Sequence, residues 1–199
     1  MKTWISADWH LGEDRFELMG RPFKRQDEMV DWLIYTHNER IKPTDRLVVV
    51  GDVCYQKTPE YLKHVAKFNG RKTLIRGNHD RGITDEQFKE YFEEIYPEGS
   101  GIELTVEGFP CYITHYPTQG RPDRFNLVGH IHAAWKYQLN MLNVGVDVHH
   151  FCPVDLDTVP FHINAVSKFY DDDVWVGYNP INSEWRGKRG KAGSYFQPK

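Results

Sequence analysis

The fold is constrained most by residues 46–52, RLVVVGD, an unbroken apolar run that ends in Gly51 and Asp52. A run without polar alternation is typical of a central strand in a parallel sheet whose two faces are both covered. Residues 2–6 (KTWIS) and 72–80 (KTLIRGNHD) have the character of neighbouring strands. Because segments with helical spacing separate these strands, we predict an α/β layered fold.

Three helices are predicted between and after these strands. The first spans residues 26–41, where apolar side chains recur at helical spacing. The second follows Thr58 as its N-cap, and the third covers residues 84–96, opened by Thr84 or Asp85. Helices in these positions are the crossover connections that parallel strands require.

The second half of the chain changes character. Four strand-like runs follow one another there with few helical signals between them, at residues 101–108, 109–116, 125–132 and 138–147. They predict a second sheet packed on the first, with helices outside. A helix around residues 158–169 is expected next, and the remaining tail is expected to be a largely irregular extension wrapped on the body.

The composition fits one soluble globular domain. The 199 residues, 40% hydrophobic and 27% charged, suffice for a core of their own. A net charge of -3 argues against broad electrostatic capture of nucleic acid or of a membrane surface. The sequence shows no signal peptide and no apolar span of about 20 residues. Its three scattered cysteines do not suggest a disulfide framework, so we expect a cytoplasmic protein.

Polar side chains of the same few types follow five predicted strands. They are Asp8 and His10, then Asp52, then Asn78, His79 and Asp80, then His115, and finally His130 and His132. In three of these groups a glycine comes immediately before. Since ligands in open α/β sheets bind at the carboxyl ends of strands, we expect the five ends to converge on one crevice.

The chemistry of these side chains suits metal ions. Carboxylate, amide oxygen and imidazole are ligands for ions such as Mn²⁺, Fe and Zn²⁺, and no thiolate is among them. Asp8 and His10 are two residues apart and therefore point to one face of an extended segment. The pair His130 and His132, taken alone, is more often solvated or packed, but the other strand ends favour ligation. A bridging carboxylate would permit a two-metal site.

The whole set of motifs resembles the calcineurin-like metallophosphoesterases. DxH, GD, GNHD, a lone histidine and GHxH occur here in that family's order, from residue 4 to about residue 160. The resemblance implies a four-layer α-β-β-α sandwich of two mixed β-sheets flanked by helices. It implies a metallophosphoesterase domain over residues 1–170, with residues 171–199 as a C-terminal extension packed on the same domain.

The resemblance also implies two metal ions. The first ion would be held by Asp8, His10, Asp52 and His132. Asp52 would bridge to the second ion, whose other ligands would be Asn78, His115 and His130. We expect Mn²⁺ first, with Fe, Zn²⁺, Ni²⁺ or Co²⁺ as alternatives.

The same resemblance gives His79 a different task from its neighbours. It would donate a proton to the leaving-group oxygen, held in place by Asp80, while a metal-bridging hydroxide attacks phosphorus in line. General acid catalysis of this kind contributes about 10²–10⁴-fold.

Arginines flank the motifs and could bind phosphate, since a guanidinium fits it bidentately. Arg15 and Arg21 lie on the loop after the first motif, and Arg76 and Arg81 surround GNHD. We predict substrate contacts for Arg15, Arg21 and Arg81, while a role as surface charges stays open for Arg76 and Arg81.

Two departures from the family pattern bear on the substrate. The residues after Asp52 read VCYQK and lack the Asp-Arg-Gly continuation of the protein Ser/Thr phosphatases. The first motif continues to Glu13 where related small phosphoesterases often have a histidine. Glu13 would then help to position His10 or a further cation.

The function that this pattern favours is hydrolysis of a phosphomonoester or phosphodiester in a small substrate, with nucleotides as the preferred class. One alternative is a nuclease or nucleic-acid end phosphatase of the same fold. It draws on a basic and aromatic cluster in the tail, Trp185, Arg186, Lys188, Arg189, Lys191 and Tyr195. The other is a non-catalytic scaffold, which the intact ligand positions disfavour.

Overall fold

The structure is a computed structural model that describes residues 1–55 and 58–168. The predicted extension over residues 171–199, including the basic and aromatic cluster, lies outside the described residues. None of the helices in the described part is long and apolar enough to cross a membrane.

The first sheet has five strands in the order β10-β1-β2-β3-β4. These strands are β1 (Thr3–Ser6), β2 (Arg46–Val50), β3 (Arg71–Ile75), β4 (Glu94–Tyr96) and β10 (Val154–Asp155). Strands β1 to β4 pair in parallel, whereas β10 runs antiparallel to β1. The sheet is therefore mixed, and its three central carboxyl ends lie on one edge.

The second sheet also has five strands, in the order β5-β6-β7-β9-β8. They are β5 (Gly101–Val106), β6 (Phe109–Thr114), β7 (Phe125–Val128), β8 (Tyr137–Gln138) and β9 (Met141–Asn143). β6, β7 and β9 are parallel, and β5 and β8 are antiparallel edge strands. The two mixed sheets with flanking helices that the sequence predicts are confirmed.

Alternate residues of β2 enter two separate cores. Leu47 and Val49 belong to the core on the helix side of the first sheet, and Val48 and Val50 belong to the core between the sheets. This alternation follows from the two-residue period of a strand. It explains why the sequence shows an unbroken apolar run, because both faces of β2 are buried.

Four α-helices complete the described part: α1 (Phe16–Met19), α2 (Gln26–Asn38), α3 (Asp85–Lys89) and α4 (Val159–Lys168). Short 3-10 helices span Pro59–Lys67, Asn78–Gly82, Pro117–Gln119, Val146–Val148 and Leu156–Thr158. α2 packs Met29, Val30 and Leu33 on the first sheet. α4 contributes Val159 and Ile163 to the core between the sheets.

The helix predicted over residues 84–96 is wrong in its second half. Thr84 does cap its start, since its hydroxyl accepts from the backbone N–H of Gln87. The helix nevertheless ends at Lys89, and Glu94–Tyr96 forms β4 by pairing with β3. Helical periodicity does not reveal a strand partner that lies earlier in the chain.

Thr58 occupies the N-cap position that the sequence predicts, but its side chain does not cap the helix. Its hydroxyl donates to the backbone carbonyls of Leu11 and Tyr55, at 3.1 and 2.7 Å. The segment that follows, Pro59–Lys67, is a 3-10 helix without a side-chain cap. Thr58 thereby ties the turn after β1 to the turn after β2.

Candidate metal centre

The predicted site residues follow β1, β2, β3, β6 and β7, and the structure brings them together. Among the described residues, two groups of side chains each place their ligand atoms within 4.8 Å of one another. One group is His10, Asp52 and His79, and the other is Asp52, His115 and His130. Asp52 belongs to both groups. We call the half around His10, His79 and His132 the His10 side, and the half around Asn78, His115 and His130 the His115 side.

Asp52 lies between these two sides. Its Oδ2 is 3.4 Å from Nε2 of His10 and 3.5 Å from Nε2 of His115, and its side chain is 1% exposed. Its Oδ1 accepts the backbone N–H of His79 at 2.9 Å. Burial opposes ionisation, yet the adjacent imidazoles hold the pKa of Asp52 well below its ordinary value. One buried carboxylate therefore faces ligand groups on both sides.

His10 is buried without a hydrogen bond to either ring nitrogen from the described residues. Burial lowers its pKa to about 4, so the ring is neutral at physiological pH. The ring centroids of His79 and His132 lie 4.7 and 4.8 Å from that of His10. A buried polar atom that lacks a partner is costly, and a coordinated cation would satisfy it.

The His115 side is linked through the amide of Asn78. Its Oδ1 lies 2.9 Å from Nδ1 of His130 and 3.2 Å from Nε2 of His115. The other nitrogen of His115, Nδ1, donates to the carbonyl of Val50 at 2.8 Å. Burial works against a charged ring, but Asp52 and Asp8 raise the pKa of His115 to about 9. His115 must therefore release a proton before it can coordinate a metal.

Five of the predicted ligands adopt a left-handed backbone conformation. The φ angles are 59° at Asp8, 52° at His10, 54° at Asp52, 77° at His130 and 48° at His132. Such angles are uncommon outside glycine and cost of order 1–3 kcal/mol each. Strain of this kind concentrates at functional sites, so the backbone conformation and the side chains indicate the same location for the site.

Close backbone approaches explain two glycines. A Cβ on Gly77 would come within 2.2 Å of Oδ1 of Asp52, and one on Gly129 within 2.9 Å of the carbonyl oxygen of Val50. Only glycine allows these turns to lie against Asp52 and β2. The Gly-Asn and Gly-His steps in the sequence thus have a steric cause.

Asp8 and His132 belong to neither closely spaced group. The carboxylate of Asp8 accepts the backbone N–H of His130 at 2.9 and 3.0 Å, and burial raises its pKa to about 6. His132 lies beside His10, while its Nδ1 donates to Asp147 at 2.8 Å. The two histidines of GHxH therefore face opposite sides, with His130 next to Asn78 and His132 next to His10.

The expected contact between Asp80 and His79 is corrected by the structure. The carboxylate of Asp80 is completely buried and accepts the backbone N–H groups of Asp52, Val53 and Gly77 at 2.9, 2.9 and 2.8 Å. Burial raises its pKa to about 7. Both oxygens are used by backbone donors, so Asp80 joins the turns after β2 and β3.

Arg21 is also corrected, because it is not available to a substrate. Its guanidinium is 1% exposed and forms a two-point ion pair with Asp147, at 2.8 and 3.0 Å. It further donates to the carbonyls of Asp8 and Trp9, at 2.6 and 2.9 Å. Arg21 therefore holds the turn after β1 from inside the protein.

Arg15 lies at the edge of the His10 side. It forms a two-point ion pair with Glu13 and donates to the hydroxyl of Tyr55, whose ring stacks 5.4 Å from that of His79. The Arg15 side chain remains 52% exposed. The Glu13 carboxylate pairs with Arg15. The sequence had instead suggested that Glu13 positions His10 or a further cation.

Arg81 lies at the edge of the His115 side. It pairs with Glu98 at 2.6 and 2.7 Å, and its side chain is 70% exposed. Glu98 also accepts a short hydrogen bond from Tyr116, whose ring centroid is 4.8 Å from those of His115 and His130. Arg76 is used within its own turn, where its guanidinium donates to the backbone carbonyls of Asp80 and Ile83.

Sequence reasoning missed three residues of this centre: Asp147, Tyr55 and Tyr116. Asp147 follows Gly145 by two residues, and a glycine also precedes the carboxylate of Asp52. Tyr116 directly follows His115, and Tyr55 follows Asp52 by three residues. Proximity to the motifs was therefore the one available signal for the two tyrosines.

Comparisons with known proteins agree with this architecture. A model of the calcineurin-like phosphoesterase family matches residues 1–177. An uncharacterized protein from Methanocaldococcus jannaschii is 26% identical over 168 residues, which are 79% of this chain and 89% of that protein. The crystal structure of a protein of unknown function from Aquifex aeolicus has a TM-score of 0.63 and 24% identity, covering 81% of this chain and 98% of its own. That structural likeness supports the fold.

Proposed function

The chain belongs to the calcineurin-like phosphoesterase family, and we propose that it is a two-metal hydrolase of phosphate esters in small substrates, with nucleotides as the preferred class. The observation that carries this proposal is the position of Asp52. Its Oδ2 lies 3.4 Å from His10 and 3.5 Å from His115. A single carboxylate between two sets of imidazoles can bridge a pair of ions.

The donor set fits divalent ions of the Mn²⁺ class, our first choice, with Fe, Zn²⁺, Ni²⁺ and Co²⁺ as alternatives. The ligand candidates offer imidazole, carboxylate and amide oxygen, and the ring nitrogens of His10 form no hydrogen bond with the described residues. The nearby Cys54 is a poor ligand because burial raises the pKa of its thiol. When bound, two such ions would activate water as the nucleophile and stabilise charge on the phosphoryl oxygens.

His79 is the candidate proton donor to the leaving group. Its backbone N–H holds Asp52, and its ring lies partly exposed between His10 and Tyr55. An imidazole in this position can protonate an oxygen as the ester bond breaks. The competing role is ligation, because His79 is near enough to His10 and Asp52 to share an ion with them.

Arg15 and Arg81 are proposed to receive the charged parts of the substrate. They lie at opposite edges of the centre, each next to a tyrosine that contacts a histidine of that edge. Each guanidinium is paired with a glutamate, so it can contact phosphate without an uncompensated charge in the free protein. Tyr55 and Tyr116 add aromatic surface against which a base could stack.

The proposal is tested by hydrolysis assays on the full chain with Mn²⁺. We expect turnover of p-nitrophenyl phosphate or of its bis ester, and loss of that turnover with EDTA. A panel of nucleoside monophosphates, cyclic nucleotides and oligonucleotides then ranks substrates. A preference for oligonucleotides would favour the nuclease alternative suggested by the tail. Absence of turnover with every metal and both esters would contradict the enzyme assignment.

A cytoplasmic location is part of the same proposal. Cys54, Cys111 and Cys152 are all free thiols in the structure. Free thiols are usual in proteins of a reducing compartment. Fractionation of the source cells would check this assignment, and recovery of the protein outside the cytoplasm would contradict it.

A further inference from the structure

A buried ion pair, Arg21 with Asp147, lies directly behind the His10 side. Their side chains are 1% and 4% exposed, and two hydrogen bonds of 2.8 and 3.0 Å join them. We propose that Asp147 and Arg21 are positioning residues that pre-form the His10 side for its metal ion. This inference rests on the proposed function, which supplies the metal ion bound at the His10 side.

The first part of the argument is the orientation of His132. Its Nδ1–H donates to Oδ2 of Asp147 at 2.8 Å, which leaves Nε2 as the nitrogen with a free lone pair. A carboxylate on the far nitrogen of a histidine ligand fixes the tautomer and the ring plane and increases ligand basicity. Asn143 supports the same residue by donating to the carbonyl of His132 at 2.7 Å.

The second part is the turn after β1. Arg21 donates to the carbonyl of Asp8 at 2.6 Å and to that of Trp9 at 2.9 Å. These two carbonyls immediately precede His10 in the chain. Asp8 and His10 both have left-handed φ angles, of 59° and 52°, so the turn needs outside support to persist. One guanidinium supplies that support and also holds Asp147.

The His115 side has separate supports. His115 is fixed by the carbonyl of Val50 at 2.8 Å, and Gly77 is fixed by Asp80 at 2.8 Å. Neither contact involves Arg21 or Asp147. Because the two halves are braced by different groups, loss of Asp147 is expected to weaken the His10 side and to spare the His115 side.

The test is titration of Mn²⁺ alone into EDTA-treated, dialysed full-length protein by calorimetry, comparing the wild type with Asp147→Ala. We expect two ions per wild-type chain. In the variant, one of the two dissociation constants should rise about 10–100-fold, the effect usual for loss of a group behind a metal ligand, while the other stays unchanged. Two unchanged constants would overturn the proposal, as would an equal weakening of both.

Two further variants make the result decisive. Asp157→Ala is the matched control, because that carboxylate is 64% exposed and lies 3.9 Å from Lys2, which precedes β1, whereas Asp8 and His10 follow β1. This variant should leave both constants unchanged. If circular dichroism shows Asp147→Ala to be unfolded, the double variant Arg21→Met with Asp147→Leu replaces it, because it removes both positioning groups without leaving a buried charge unpaired. Weakening of one site in that variant supports the proposal, and unchanged constants overturn it.

The metal titration separates this proposal from the proposed function. A wild-type chain that binds two ions but hydrolyses no ester would refute the function alone. A wild-type chain that binds no Mn²⁺ would overturn the positioning role of Asp147 and Arg21.

Discussion

Replacement of Arg21 by methionine is expected to destabilise the protein strongly, even without metal. The change keeps an apolar stem but leaves the Asp147 carboxylate buried, with the His132 ring as its remaining side-chain partner among the described residues. Removal of one partner of a buried ion pair lowers the free energy of unfolding by about 3–5 kcal/mol. For a chain of this size, this corresponds to a fall in Tm of roughly 6–20 °C.

The assay is urea unfolding of EDTA-treated protein at pH 8, followed by circular dichroism. The double variant Arg21→Met with Asp147→Leu should lose less free energy of unfolding than the two single variants combined, because it leaves no uncompensated charge. The pKa of Asp147 is lowered by His132 and Arg21 against the effect of burial, so its contribution is present above the ordinary carboxyl pKa and is lost as pH falls below it. The deficit of Arg21→Met should therefore shrink in acid.

A loss of less than about 1 kcal/mol in Arg21→Met would refute this reasoning, since that is the range of an exposed ion pair. Strict additivity of the two single variants would refute it as well. Either result would mean that water reaches the Arg21 guanidinium and that its buried hydrogen bonds do not stabilise the turn after β1.

Three other outcomes follow from the geometry. His37 is completely buried, and burial lowers its pKa from 6.5 to about 3, so that near pH 5 its imidazole is protonated in the unfolded chain but not in the folded one. Between pH 7 and pH 5 the wild type should therefore lose about 2 kcal/mol more free energy of unfolding than His37→Gln. Equal losses in urea titrations would contradict this. His79→Asn should lower kcat about 10²–10⁴-fold at unchanged metal content by mass spectrometry, whereas loss of an ion would make His79 a ligand. Arg15→Ala should raise the KM of the best substrate about two- to fivefold, with Arg71→Ala, an exposed arginine paired with Glu93, as the control; an unchanged KM would remove Arg15 from the substrate site.

The fold was predictable where local pattern and topology rules agree. The apolar run of β2 and its Gly-Asp end specify a buried parallel strand, and the rule that sites form at carboxyl ends of strands brings Asp52 towards the other motifs. The convergence of these strand ends is seen directly in the distances around Asp52. Here the sequence contains the information because each motif is contiguous with its strand.

Contacts between distant parts of the chain were not predictable in the same way. Arg21 and Asp147 are 126 positions apart, and an arginine in a loop beside a motif has the sequence signature of an exposed substrate ligand. The same holds for Asp80, whose carboxylate reaches back to Asp52 and Val53. A single sequence gives the type of a polar side chain but not the partner that removes it from solvent.

The shortened third helix has a related cause. Residues 84–96 keep an apolar spacing compatible with a helix, and Phe88 and Phe92 are both buried as that spacing implies. Beyond Lys89, however, pairing of Glu94–Tyr96 with β3 replaces helical hydrogen bonds by those of a sheet. Tertiary pairing overrides local propensity in short segments.

The most direct test of the central claim is the metal content of Asp52→Asn. Asparagine tolerates the left-handed backbone at this position and keeps the size of the side chain while removing its charge. If Asp52 joins the two sides, the Mn²⁺ to protein ratio should be two in the wild type, and both ions should be weakened together in the variant. Asp157→Asn should retain the wild-type ratio. Loss of one ion with the other bound at wild-type affinity, or no loss at all, would contradict a shared carboxylate.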